Sequence, residues 1–148
     1  MTFLLDVNVL VSLAWPNHVL HEAAHRWFAA RQRAKQRWAT CPITQSGFVR
    51  VSSNSRIVPE ARSPAEAIQL LAQMIALPGH EFWSDDISIV SSRHVARRKL
   101  MGHGQVTDAH LLALAIARRG VLATLDGGVA EIVPDTATAA EAIHVIPM

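Results

Sequence analysis

The sequence predicts an α/β three-layer sandwich around a mostly parallel sheet of about five strands. Three observations predict it. Short apolar runs alternate with longer stretches of helical period along the whole chain. The first run, Phe3-Leu4-Leu5, is apolar at every position, as a parallel strand covered on both faces must be. The stretch 108–119 is apolar nearly all round, which suits a helix packed deep against a sheet.

The first strand, Phe3 to Leu5, ends at Asp6. From Val19 to about Arg33, Leu20, Ala23, Ala24, Trp27 and Phe28 share one helical face, and Glu22, Arg26 and Arg33 lie off it. Trp38-Ala39-Thr40-Cys41-Pro42 reads as a second strand closed by proline. A helix follows from Thr44, with Phe48 and Val51 inward, until Ser52-Ser53-Asn54-Ser55 and Pro59 break it. Ser63-Pro64-Ala65-Glu66 starts another, with Ser as N-cap, Pro at the first position and Glu at the third. It runs to about Leu77, before Pro78-Gly79. His80-Glu81-Phe82-Trp83 is the third strand, and 87–101 read as one helix ending in Arg97-Arg98-Lys99. Thr107 is expected to cap the helix Asp108 to Arg119. Arg118 and Arg119 complement its negative end, and Gly120 is the residue expected to turn the chain out of it. Val121 to Leu125 is a strand leading to Asp126-Gly127-Gly128. A short helix and the strand His144-Val145-Ile146 finish the chain.

A length of 148 residues fits one domain, expected to span 1–148. Half the residues are apolar and 18% are charged, which supplies a core and excludes intrinsic disorder. A lone Cys41 excludes a disulfide framework and a cysteine-based zinc site, and suits a reducing compartment. The apolar N-terminus lacks a basic leader, Asp6 and Asn8 interrupt it, and no apolar run is long enough to cross a bilayer. A cytoplasmic protein with no membrane partner is expected. The net charge is only +2, but twelve of its fourteen cations are Arg, Lys35 and Lys99 being the exceptions. Arg grips phosphate oxygens bidentately. Such a surface is compatible with nucleic acid without requiring it.

The acids fall into a pattern on this frame. Asp6 and Asp126 each end a strand, so in a parallel sheet both lie at the carboxyl edge, where α/β proteins place their ligand sites. A helix of this length spans roughly 18 Å at ~1.5 Å per residue, close to the length of the strand it feeds, so its first residue returns to that edge. Asp108 therefore joins Asp6 and Asp126, and Gln45 arrives beside them. Taken singly, Asp108 reads as a first-turn helix charge and Asp126 as a turn residue. Asp6, inside FLLDVNVLV, is costly to bury without a partner. Three carboxylates at close range repel one another, and a hard divalent cation relieves the repulsion. Mg²⁺ or Mn²⁺ keeps waters in such a site and leaves room for a phosphodiester, whose hydrolysis it assists.

LLDVNVLV near the N-terminus, CPITQSGFVRV, TDAHLLALA and LATLD resemble, in this order and spacing, the motifs of the PIN domain. More closely they resemble VapC-type toxins of bacterial VapBC toxin–antitoxin systems. The resemblance implies a Mg²⁺-dependent endoribonuclease with a five-stranded parallel sheet, usually dimeric, cutting RNA and held inactive by a VapB antitoxin. It assigns Asp6, Asp108 and Asp126 to the metal, with Asn8, Thr107 and Thr124 as polar positions that surround and orient them. The second motif departs from the family pattern, which has Glu where this chain has Gln45. A Gln carbonyl ligates weakly and without charge. That weakens the case for a second metal and leaves the first ion at Asp6 and Asp108.

Other features carry less. His18, His21 and His25 read as an exposed polar helix face rather than a metal site. Trp27, Trp38 and Trp83 read as core, while Trp15 is expected near the site. Asp85 and Asp86 read as a turn. Arg50, Arg56 and Arg97-Arg98-Lys99 are equally an RNA-backbone contact or a solvated face. Gln45 alone supports the competing reading, a PIN-like module that binds RNA or antitoxin without cutting. A receiver domain needs a lysine near the last strand, and an aspartyl phosphatase needs Asp where Asn8 stands, so neither fits.

Overall fold

A computed structural model describes residues 1–136 and 139–148. The apolar runs form the strands β1 (Thr2–Leu5), β2 (Arg37–Thr40), β3 (His80–Phe82), β4 (Val121–Thr124) and β5 (Ile143–Val145). They pair in the order β3-β2-β1-β4-β5, every pair parallel. The five helices are α1 (Val7–Ala14), α2 (His21–Arg33), α3 (Pro42–Ser52), α4 (Pro64–Ile75) and α5 (Val106–Ala117).

The three layers follow from the pleat. Phe3 and Leu5 of β1 face a core built with Val9, Leu10, Trp27, Phe28, Phe48 and Leu71, which come from α1 to α4. Leu4 faces the other way, into a core with Ala39, Leu122 and the run Leu111–Ala115 of α5. Because β1 and β4 are central and covered on both faces, their apolar runs show no alternation. Register sets Leu4 beside both Ala39 and Leu122, so β1, β2 and β4 end nearly level and share one carboxyl edge.

The chain turns directly after β1 into α1, with Asp6 as N-cap and Asn8 in the first turn, a helix that the apolar run does not announce. Three expectations need correction. Residues 87–101 form no helix but an irregular segment with one 3₁₀ turn at Arg97–Lys99, anchored mainly by buried Val95. Gln105, not Thr107, precedes α5 as its N-cap and makes no side-chain cap. Trp15 is buried like the other tryptophans, its Nε1 donating to Ser52 Oγ at 3.0 Å.

The end of α5 is closed differently from the expectation. Arg119 takes the left-handed conformation, φ 56°, and its N–H donates to Ile116 O at 3.1 Å. Gly120 N–H donates to Ala115 O at 2.9 Å, which completes a Schellman closure. Gly120 is required instead by space. A Cβ there would lie 2.5 Å from the Trp83 ring and 2.8 Å from Thr2 O.

Candidate active site

Asp6 is the N-cap of α1, in extended backbone geometry between the last residue of β1 and the first helical turn. Its carboxylate is buried and held from two sides. Val7 N–H donates to Oδ1 at 2.7 Å, and the Thr124 hydroxyl donates to Oδ2 at 2.7 Å. Thr124, the last residue of β4, also accepts from Asn8 Nδ2 at 3.2 Å and from Asp126 N–H at 3.1 Å. Asn8 Oδ1 accepts from Leu125 N–H at 3.2 Å. One threonine and one asparagine thus lock the end of β1 to the end of β4. Asp126 is exposed, and its Oδ1 accepts from Gly128 N–H at 2.8 Å, which fixes the turn that follows.

Asp108 lies in the first turn of α5 and is half-buried. Its carboxyl is pushed up to about 6, first by burial and then by the negative charges of Asp6 and Asp126. Asp6 is raised as well, mainly by burial; its Thr124 and Val7 hydrogen bonds pull it back, and Asp126 adds to the rise. Three acids that are 102 and 18 residues apart in sequence feel one another's charge, as the carboxyl-edge reasoning expects.

Among the described residues no three His, Cys, Asp or Glu side chains close into a finished metal cage. A hard cation that retains its waters does not need one, because one or two carboxylates and a substrate phosphate complete its shell. The candidate ligands, the carboxylates of Asp6, Asp108 and Asp126, offer oxygen, which suits such an ion and not a thiolate-seeking one.

The remaining predicted residues divide. Gln45 stands in the first turn of α3, and its Nε2 donates to Thr40 Oγ1 at 3.0 Å. Thr40 Oγ1 lies 2.8 Å from His80 Nε2, and burial pushes the His80 imidazole below its ordinary value. Gln45 donates to Thr40 as an ionised Glu could not, and the Thr40 hydroxyl joins it to His80. Thr107 is exposed beside Asp108 and makes no side-chain hydrogen bond among the described residues. Asp85 does form the expected turn, accepting from Ile87 N–H at 3.0 Å. Its other oxygen lies 2.7 Å from His110 Nε2 on α5. The sequence signals that pair only through His110, a lone polar residue between Ala109 and Leu111, two residues past Asp108.

The PIN domain family matches residues 3–135. Over 131 residues the chain is 48% identical to ribonuclease VapC39 of Mycobacterium tuberculosis, covering 88% of this chain and 93% of that protein. The chain belongs to the PIN-domain family, in its VapC branch. VapC38 of the same organism is 49% identical over 127 residues, covering 85% of this chain and 86% of its own. VapC44 is 47% identical over 130 residues, with 88% and 89% covered. The two relatives are likewise named ribonucleases. In this VapC-type PIN domain the match takes in Asp6, Asn8, Gln45, Asp108, Thr124 and Asp126, the whole acid edge.

Proposed function

We propose that the chain is the toxin of a type II toxin–antitoxin pair, a metal-dependent endoribonuclease whose Asp6, Asp108 and Asp126 hold Mg²⁺, with Mn²⁺ able to substitute. The observation that supports it is Asp108. Its carboxyl is raised to about 6 by burial and by two other acids brought from remote parts of the chain. A structural surface carboxylate has no reason to sit there. When bound, the cation supplies Lewis acidity toward the phosphodiester and toward an attacking water.

The chain's own groups do the positioning. Thr124 and the Val7 N–H hold Asp6 in one orientation, so its lone pairs point without reorganisation. Asn8 keeps β1 and β4 at a fixed separation. The start of α5 has no side-chain cap, and although the Val106 N–H is taken by His103 O, the positive end of the helix dipole faces a phosphate oxygen bound beside Asp108. Gln45 contributes a neutral oxygen at most, which favours a single ion held less strongly than with a carboxylate at that position. In this reading the partner is a small VapB-like antitoxin, which the VapC names of its relatives support, and the chain is expected to work as a homodimer.

Purified protein is expected to cut RNA with Mg²⁺ or Mn²⁺ and to stop with EDTA. Asp6→Asn and Asp108→Asn are expected to abolish cleavage while circular dichroism stays native. Full activity in either folded variant overturns the assignment. A folded wild-type chain that binds RNA but never cuts it favours the binding-module reading suggested by Gln45.

A further inference from the structure

The histidines at the start of α2 take no part in the acid edge, and the structure separates them into two kinds. His18 is consumed locally: Leu20 N–H donates to its Nδ1 at 3.0 Å, and the Ser12 hydroxyl lies 3.2 Å from the same atom. His21 and His25 differ. They stand one turn apart on α2, in the run His21-Glu22-Ala23-Ala24-His25, with ring centroids 5.8 Å apart and planes 32° from parallel. His21 Nδ1 lies 2.7 Å from the carbonyl oxygen of Ser12. A carbonyl only accepts, so Nδ1 carries the proton and Nε2 offers its lone pair. Metal-ligating imidazoles are held in this way, one nitrogen donating to a fixed oxygen and the other free to ligate. His25 is exposed, so nothing covers its approach to an ion.

We propose that His21 and His25 form a second cation site, separate from the carboxylates, for a borderline divalent transition metal of the Zn²⁺, Ni²⁺ and Cu²⁺ class. Imidazole suits these ions and not Mg²⁺. Residues at i and i+4 on a helix face the same way, so both Nε2 atoms can reach one ion. Among the described residues no third His, Cys, Asp or Glu joins them. Water fills the other positions. The spacing His-Glu-x-x-His is that of helical zinc hydrolases, but Glu22 is exposed and the third protein ligand is missing. The site is therefore one of binding, not hydrolysis. The ion would staple the first turn of α2, whose His21 is already tied to Ser12 of α1.

The test titrates the full chain with NiCl₂ and with ZnCl₂, in a millimolar excess of MgCl₂, by calorimetry and by imidazole ¹⁵N NMR. One ion per chain is expected, shifting the resonances of His21 and His25 and raising Tm. His25→Ala, an exposed change that circular dichroism can certify as folded, weakens binding roughly 100-fold or more, beyond the loss of a mere orienting partner. His94→Ala, remote in sequence, leaves it intact, and so does Asp108→Asn. Binding that survives His25→Ala overturns the proposal. So does binding that Mg²⁺ displaces or that Asp108→Asn removes, since either result puts the ion on the carboxylates.

Discussion

Thr124 has one hydroxyl proton and two lone pairs, and all three are engaged, by Asp6, Asn8 and the Asp126 N–H. Thr124→Val keeps the shape and removes every one of them. Asp6 is then left buried with a single donor, so its carboxyl rises further. Stability is expected to fall by about 1–3 kcal/mol and divalent-ion affinity by roughly 10–100-fold, with Thr124→Ser recovering most of both. Urea unfolding and metal titration check this. Asp108 works in the opposite direction on stability. Its folded carboxyl titrates at about 6 against an ordinary 3.8, so the folded chain holds that proton more tightly than the unfolded one. The stability linked to it is complete below about pH 4 and is lost as pH rises through 6. In EDTA at pH 7.5, Asp108→Asn is expected to stabilise the chain by about 1 kcal/mol, once screening of a half-exposed group is allowed for. At pH 4 the gain vanishes. Equal stability of the two proteins at both pH values would refute the electrostatic picture of this edge.

At the scale of the elements, legibility follows periodicity. Asp6, Asp108 and Asp126 are legible in the sequence because each follows or opens a largely apolar run, and a parallel sheet sends the ends of such runs to one side. The helix α1 is not legible: apart from Asn8 the stretch Val7 to Val11 is apolar throughout, which leaves no period to separate strand from helix. Nor is the irregular path of 84–105, whose apolar residues follow neither period. The Gln45–Thr40–His80 chain also escapes the sequence, since it depends on β2 and β3 lying side by side. Gly120 shows the same limit, because its need for a hydrogen in place of Cβ arises from Trp83 and Thr2, far away in sequence. Gly120→Ala pushes Cβ into the backbone oxygen of Thr2, which cannot swing aside. A loss of about 1–3 kcal/mol, or roughly 4 °C or more in Tm, is expected by calorimetry. An unchanged Tm would mean that the end of α5 shifts freely from β1.

At the scale of the whole molecule, a basic turn stands on the segment that leads into α5. The segment 84–105 leads into α5 and carries Arg93, Arg97 and Arg98 exposed. Lys99 is spent on Val133 O at 2.6 Å and Asp135 at 2.7 Å, which pins this basic turn to the chain leaving Asp126. Under the ribonuclease reading, Arg97 and Arg98 together meet the substrate backbone. Replacing both by Ala is expected to raise KM for RNA, leave kcat near wild type, and flatten the salt dependence by about 0.7 per lost phosphate contact. An unaltered salt slope would make the turn a solvated face. The bond from Thr124 to Asp6 has a consequence for synthesis. It joins residues 118 apart, so a chain still emerging from the ribosome has Asp6 and the Val7 N–H long before the hydroxyl that holds the second carboxylate oxygen. Under the ribonuclease reading, a chain short of β4 lacks Thr124 and Asp126, so its capacity to cut arrives only near the end of its own translation.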